Sequence, residues 1–153
     1  MTAAPVPPLS TKRERVAWYL YDFGNSAYAS VVYLAVFSTY FKNVVVGGAE
    51  GSRLWGLAIG IALVIVALIA PVLGAMADFS GAKKRFLLGF TAQAITFTGL
   101  LFFVQAGDVV AGMLFFILAE IGYRSSQVFY DGFLPELARP DEMGKVSGTG
   151  WAI

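Results

Sequence analysis

The segment Leu54–Ala77, with the sequence LWGLAIGIALVIVALIAPVLGAMA, contains no charged residue and decides the fold class of this chain. About twenty apolar residues are enough for a helix to cross the hydrocarbon core of a bilayer. Phe86–Ala106 is a second uncharged segment of this length. Together they predict an integral membrane protein of the all-α class.

Two further apolar segments, Val16–Phe41 and Val109–Leu134, are long enough to span a membrane but carry polar residues. A fifth apolar helix begins near residues 146–153. We therefore expect a helical membrane domain over 16–153, preceded by a disordered cytoplasmic tail over 1–15. A helix that stops after a turn or two cannot satisfy its backbone in lipid, so we expect these 153 residues to be the N-terminal part of a longer protein.

The composition argues against other classes of protein. Hydrophobic residues make up 58% of the chain and charged residues 14%, whereas soluble domains have about 45–50% and about 25%. The net charge of +1 offers no surface for nucleic acid. With no cysteine and no histidine, we expect no metal site, no cofactor and no enzymatic activity. Glu120 and Asp131 lie roughly 16 Å apart along a helix, too far for joint acid–base catalysis.

Basic residues are distributed unevenly over the connecting segments. Cytoplasmic loops of membrane proteins carry an excess of lysine and arginine. If the N-terminus is inside, the inner segments hold Lys12, Arg13, Arg15, Lys83, Lys84, Arg85, Arg139 and Lys145, and the outer segments hold Lys42 and Arg53. This bias predicts a multi-pass protein of the cell (inner) membrane with a cytoplasmic N-terminus.

The fourth predicted span carries four polar residues, Glu120, Arg124, Gln127 and Asp131. At about 100° per residue they fall within a wedge of roughly 60° on the helical wheel. They therefore form one polar stripe. Charged groups at bilayer depth usually face a bundle interior or a water-filled cavity.

The first span has a polar stripe of its own, which starts at Asp22 and continues through Asn25, Ser26, Ala29 and Tyr33. At about 1.5 Å per residue, Asp22 lies roughly 9 Å and Arg124 roughly 15 Å from the inner surface. Long side chains at these depths can reach each other if the two helices are neighbours.

Two interpretations of these stripes remain open. In one, Glu120 and Arg124 form an i,i+4 pair that neutralises itself and holds the fold together. In the other, both stripes line a central cavity, where Arg124 binds an anionic group and Glu120 or Asp22 exchanges a proton. The second interpretation makes Asp22, Asn25, Tyr33, Glu120, Arg124 and Gln127 the candidate residues for substrate binding and proton coupling.

Aromatic residues gather near the ends of the spans, as in Trp18-Tyr19, Tyr40-Phe41, Trp55 and Phe129-Tyr130. Tryptophan and tyrosine are enriched at membrane interfaces. We expect these residues to form interfacial belts.

The segment between the second and third spans has Gly74, Asp78 and Gly81 at fixed intervals, followed by Lys83, Lys84 and Arg85. This spacing resembles the G-x-x-x-D-x-x-G loop signature of the major facilitator superfamily, with Ala82 in place of the usual Arg. Arg124 to Gln127 resembles the R-x-x-Q-G motif of that superfamily's fourth helix, with Val128 in place of the Gly.

Three further stretches, Trp18–Tyr28, Tyr130–Leu137 and Ser147–Ala152, resemble the autophagy-related vacuolar effluxer-like branch of the superfamily. That branch more often has Asn at the position of Asp131. The resemblance implies a twelve-helix secondary transporter to which this chain contributes about four helices and the start of a fifth.

By the same resemblance, the loop residues Gly74, Asp78, Gly81, Lys83, Lys84 and Arg85 form a cytoplasmic gate, and the missing C-terminal half supplies the other wall of the cavity. The expected partners are a small-molecule substrate and the lipid bilayer. The family is linked to amino-acid efflux in vacuoles, which implies amino acids as one substrate class. The alternative is a small non-transporting membrane scaffold or an oligomeric channel.

Overall fold

A computed structural model describes residues 10–79 and 81–152 of the chain and is helical over nearly all of them. Four stretches are long and apolar enough to cross a membrane: span 1 (Lys12–Val46), span 2 (Gly48–Asp78), span 3 (Lys83–Phe103) and span 4 (Val109–Leu137). The predicted all-α membrane class is confirmed. The helical elements are α1 (Lys12–Ala27), a π-helix (Tyr28–Ala35), α2 (Val36–Tyr40), a second π-helix (Phe41–Val46), α3 (Gly48–Phe79), α4 (Lys83–Leu100), a 3-10 turn (Leu101–Phe103), α5 (Val109–Asp131), α6 (Leu134–Leu137) and α7 (Met143–Ala152).

Span 1 begins earlier than predicted because its first turn is capped. The Thr11 hydroxyl accepts a hydrogen bond from the Glu14 backbone N–H, and the Glu14 carboxylate accepts one from the Thr11 N–H. This capping box satisfies backbone donors that a helix start leaves unpaired. Residues 12–15 are therefore helical, which corrects the prediction of a disordered tail over 1–15 for this part. Residues 1–9 of that predicted tail lie outside the described residues.

The spans run alternately up and down. At one end, the Gly107 N–H donates to the Val45 carbonyl at 3.0 Å and joins the two connecting loops there. At the other end, the Ser10 hydroxyl donates to the Leu137 carbonyl at 2.6 Å and Lys83 Nζ to the Gly132 carbonyl at 3.1 Å. We call this second end, which carries Lys12, Arg13, Arg15 and Lys83–Arg85, the basic end.

Span 4 packs against spans 2 and 3, and α7 packs against α1. Spans 3 and 4 approach closely at Gly122, where an added Cβ would lie 2.8 Å from the Ala94 N and 2.9 Å from the Phe90 carbonyl oxygen. Only a glycine permits this separation of the two helices. Small residues have this role at helix contacts in membranes. In contrast, Gly56, Gly60 and Gly74 of span 2 have no such neighbour within 4 Å among the described residues.

Most of the aromatic residues predicted to form interfacial belts pack inside the bundle instead. Phe41, Trp55 and Phe116 form one cluster with exposures of 0%, 8% and 0%. Trp18 stacks on Tyr130 with ring centroids 4.4 Å apart at the basic end. Association of helices in lipid depends on van der Waals contact, and large flat rings supply much of it. The belt prediction is therefore wrong for these residues.

Large apolar side chains cover the outer surface of the bundle. Leu68, Val110 and Phe102 are 74%, 80% and 86% exposed, respectively. In water, such a surface would lead to aggregation, whereas in a bilayer it contacts acyl chains or further helices.

Candidate functional site

A polar cavity of about 1000 Å³ lies between spans 1, 2 and 4, with Gly150 of α7 at its edge. Its wall combines charged and polar side chains of spans 1 and 4 with small or apolar ones of span 2. Asp22, Phe23, Ser26, Ala29, Leu63, Val66, Ala67, Tyr123, Arg124, Gln127, Tyr130 and Asp131 line it. Three of the six candidate site residues, Asp22, Arg124 and Gln127, thus share one cavity.

Arg124 is held in the cavity wall by Glu120. The Glu120 side chain is fully buried, and its Oε1 accepts a hydrogen bond from Arg124 Nε at 2.6 Å. The Arg124 side chain keeps 34% of its surface exposed. Since a guanidinium has five N–H donors and this bond uses one, donors remain for a ligand in the cavity.

Glu120 also connects spans 4 and 1. Tyr28 donates its hydroxyl hydrogen to Glu120 Oε2 at 3.0 Å, and the Tyr28 ring lies 4.6 Å from that of Tyr123. Tyr28 is the first residue of the π-helix in span 1. Both carboxylate oxygens of Glu120 are therefore hydrogen-bonded, as a buried charge requires.

Tyr33, one of the candidate site residues, lies beside Arg124. Its ring centroid is 6.0 Å from Arg124 Cζ and 6.5 Å from the Phe116 ring centroid. A guanidinium at this distance from an aromatic face is attracted to it. Tyr33 thus contributes to the position of Arg124 from span 1.

A second group of polar side chains lies in the same cavity. Asp22 of span 1 and Asp131 of span 4 both line the cavity. Tyr130 lines the cavity beside Asp131 in the sequence of span 4. Neither aspartate forms an ion pair with any residue that the structure describes. The cavity therefore combines a cationic region at Arg124 with an anionic region at the two aspartates.

Asn25 does not line this cavity, in contrast to the prediction that it shares the face of Asp22. It lies instead in a second cavity, of about 730 Å³, between spans 1, 3 and 4. The Tyr21 hydroxyl and the Thr91 hydroxyl are hydrogen-bonded at 2.7 Å in the same region. Three residues beyond Asp22 turn the helix by about 300°, which is enough to move a side chain to the neighbouring face.

The predicted gating loop divides into two parts. Lys83 binds the end of span 4, with its Nζ 2.6 Å from Glu136 Oε1 and 3.1 Å from the Gly132 carbonyl. Asp78, Lys84 and Arg85 are exposed and form no ion pair within the part of the chain that the structure describes. Gly74 lies within α3, and Gly81 lies in the turn before α4.

Sequence reasoning missed Tyr130 as a site residue, because it looks like an ordinary aromatic at a span end and only its place in the cavity wall gives it a role. Tyr28 differs from the other aromatics by its position inside span 1, and its hydrogen bond to Glu120 now defines its role. No group of three or more acidic residues that could hold a metal ion occurs among residues 10–79 and 81–152.

Fold and cavity together define a polytopic α-helical membrane protein with opposite charges gathered between its spans. Residues 54–148 match the family model described as vacuole effluxer Atg22 like. The chain belongs to this family, and the predicted resemblance is confirmed.

A curated relative is similar over most of the chain. It is described as an uncharacterized MFS-type transporter, YxiO, of Bacillus subtilis (strain 168). The two are 35% identical over 147 residues, which include 94% of this chain and 34% of the relative. The chain thus spans about a third of the length of this relative. No solved structure matches the chain significantly.

Proposed function

We propose that the full-length protein is a secondary transporter that moves a small solute across a membrane by alternating access, coupled to protons. The main support is the cavity that Asp22 of span 1 and Arg124 of span 4 both line. Charged residues inside a membrane are costly and mark substrate or ion pathways. Membership of the effluxer-like family favours the same function.

In this proposal the chain forms part of a twelve-helix protein and supplies its first four helices and the start of the fifth. The relative is about three times as long, which is consistent with further helices beyond this chain. These helices would close the open side of the cavity. Rocking of the two halves around a fixed site would then expose the cavity to each side of the membrane in turn.

The charges of the cavity favour a substrate with both an anionic and a cationic group. Arg124 is suited to bind a carboxylate because its planar guanidinium can donate two parallel hydrogen bonds. Asp22 is suited to bind an ammonium group. Amino acids have this combination, and we propose them as the substrate class. Glu120 acts as a positioning residue for Arg124 since both its oxygens already have partners.

The basic end is proposed to lie in the cytoplasm, with Asp78, Lys84 and Arg85 available to make and break contacts with the other half. Orientation can be tested by single cysteines in a full-length protein freed of other cysteines, because this chain contains none. We expect an impermeant maleimide to label Ser52→Cys in intact cells and Asp141→Cys only after permeabilisation. The reverse pattern would contradict the proposed orientation.

Transport is tested with the full-length protein in proteoliposomes, by a screen of amino acids and small organic anions across a pH gradient. Asp22→Asn and Arg124→Gln should abolish uptake while leaving membrane insertion intact. Glu50→Gln serves as the control because Glu50 pairs with Arg53 on the exposed surface away from the cavity. Unchanged transport in both cavity variants would contradict the site.

The alternative of a scaffold or an oligomeric channel predicts different behaviour. A scaffold would move no solute, and a channel would show flux that neither saturates nor exchanges one labelled substrate molecule for another. Saturable counterflow by the wild-type protein would therefore exclude both.

A further inference from the structure

The anionic region of the cavity contains a polar group that lacks a partner. The Tyr130 hydroxyl is buried and forms no hydrogen bond with any residue between 10 and 152 that the structure describes. Tyr130 is only 4% exposed, and its ring is fixed between those of Trp18 and Tyr21, at 4.4 Å and 5.2 Å. Buried hydroxyls normally have a partner, so this one indicates a ligand beside it.

Two carboxylates line the same cavity as Tyr130. They belong to Asp22 and Asp131, so two negative charges would share one cavity if both were ionised. The other ionisable groups that line this cavity are Tyr123 and Arg124 of span 4. Tyr21 of span 1 stacks on Tyr130, but its hydroxyl is hydrogen-bonded to Thr91 of span 3. Span 2 contributes only apolar side chains, and α7 contributes Gly150. Neither aspartate forms an ion pair with Arg124 or with any other side chain that the structure describes.

We infer that Asp22, Asp131 and Tyr130 form a cation subsite in which a proton and the ammonium group of the substrate compete. This inference rests on the proposed transport function and deepens it. Without substrate, the two aspartates share one proton, because two carboxylates in one membrane-embedded cavity do not both ionise readily. An arriving ammonium group replaces that proton and donates hydrogen bonds to the oxygens of the three residues.

The exchange conserves charge. The ammonium group keeps its own protons, and the O–H bond of the protonated carboxyl group breaks and its proton passes to water. The subsite has a net charge of −1 before and after the step, because the two carboxylates hold one proton before it and one ammonium group after it. Because the empty, doubly ionised pair is unfavourable, each reorientation of the cavity carries either a proton or a substrate. Substrate and proton therefore move in opposite directions.

The subsite is tested by proton release from the purified full-length protein in weak buffer with a pH-indicator dye. Methylammonium chloride is the probe, and tetramethylammonium chloride, which has no N–H donor, is the control salt. We expect up to one proton released per protein on addition of methylammonium and none with tetramethylammonium. If sodium chloride released the proton at the same concentration as methylammonium chloride, the assignment of a subsite for an ammonium group would be overturned.

Variants separate the three residues. Asp22→Asn and Asp131→Asn should release no proton, whereas Asp131→Glu should restore release and Glu50→Gln should behave like the wild type. Tyr130→Phe should weaken the apparent affinity for methylammonium about fivefold, the loss expected for one hydrogen bond. Unchanged release by Asp131→Asn would overturn the inference.

The test of the cation subsite can fail or succeed independently of the test of transport. A protein that transports solutes but releases no proton with methylammonium contradicts the cation subsite alone. A protein that releases the proton but moves no solute in proteoliposomes contradicts transport alone.

In transporting vesicles, an acidic interior should accelerate substrate uptake at least severalfold, and Asp131→Asn should remove that acceleration. Acceleration by an acidic exterior instead would contradict the exchange.

Discussion

Glu120 and Arg124 form a hydrogen-bonded ion pair whose two members have different surroundings. Glu120 is 0% exposed and bonds to both Arg124 and Tyr28, whereas the Arg124 side chain remains 34% exposed in the cavity wall. The two interpretations of the sequence are therefore compatible. The pair contributes to the structure of the bundle, and it also holds a guanidinium where a ligand can reach it.

Removal of one member of this pair should be more damaging than removal of both. Glu120→Ala leaves the arginine without its buried partner, which we expect to destabilise the protein by about 3–5 kcal/mol. The double variant Glu120→Leu with Arg124→Met replaces the pair by apolar groups and should recover most of this loss. Thermal unfolding followed by fluorescence-detected size-exclusion chromatography measures the difference.

The same variants separate stability from function. The double variant should insert and keep most of the wild-type stability but transport nothing, because it lacks the anion-binding group. Transport by the double variant would show that the pair has only a structural role.

Tyr28 should matter through its hydroxyl group. Tyr28→Phe keeps the ring against Tyr123 but removes the hydrogen bond to the Glu120 carboxylate. A hydrogen bond to a charged group contributes about 1.5–3 kcal/mol, so the apparent melting temperature should fall. Tyr33→Phe is the matched control, because the contact of Tyr33 with Arg124 is through its ring. Equal melting temperatures for the two variants would contradict the role of the Tyr28 hydroxyl.

Gly122 should be sensitive to the addition of a single methyl group. In Gly122→Ala, the new Cβ would meet the backbone of span 3 at 2.8–2.9 Å, and backbone cannot rotate away as a side chain can. We expect destabilisation of about 1–3 kcal/mol, as for other overpacked contacts. Gly89→Ala is the control, since its Cβ would find no described atom within 4 Å. Thermal unfolding of both variants in detergent checks this, and equal stability would place spans 3 and 4 further apart.

The sequence predicted the four spans because the length and apolarity of a membrane helix are local properties of the chain. Span 4 begins at Val109 as predicted, whereas span 1 begins at Lys12 because of a cap formed by Thr11 and Glu14. The helical wheel placed Glu120, Arg124, Gln127 and Asp131 on one face. The last three line the cavity, whereas Glu120 is buried behind Arg124 and does not line it.

The helical-wheel prediction failed where span 1 departs from ideal α-helical geometry and where the positions of neighbouring spans determine which side chains are buried. Span 1 turns into a π-helix at Tyr28, a change of period that no wheel of fixed angle includes. Asn25 faces span 3 because of the position of that span, which the sequence of span 1 does not encode. Trp18 and Phe129 pack inside the bundle since their partners, Tyr130 and Phe86, lie on other helices.

The basic residues of the gating loop should separate into two roles. Lys83 is anchored to span 4 by Glu136 and the Gly132 carbonyl, so Lys83→Met should loosen residues 132–137 and speed their hydrogen exchange. The loss of stability should not exceed about 1 kcal/mol, because Glu136 is 55% exposed.

Lys84 and Arg85 are exposed and free of ion pairs within the described chain, so they remain available for contacts that change during transport. Lys84→Met and Arg85→Met should therefore slow transport severalfold without a change in melting temperature or in hydrogen exchange at 132–137. The measurement combines transport rates in proteoliposomes with hydrogen exchange read by mass spectrometry. If Lys84→Met loosened the end of span 4 as much as Lys83→Met does, the basic run would act as one anchor and would have no separate part in gating.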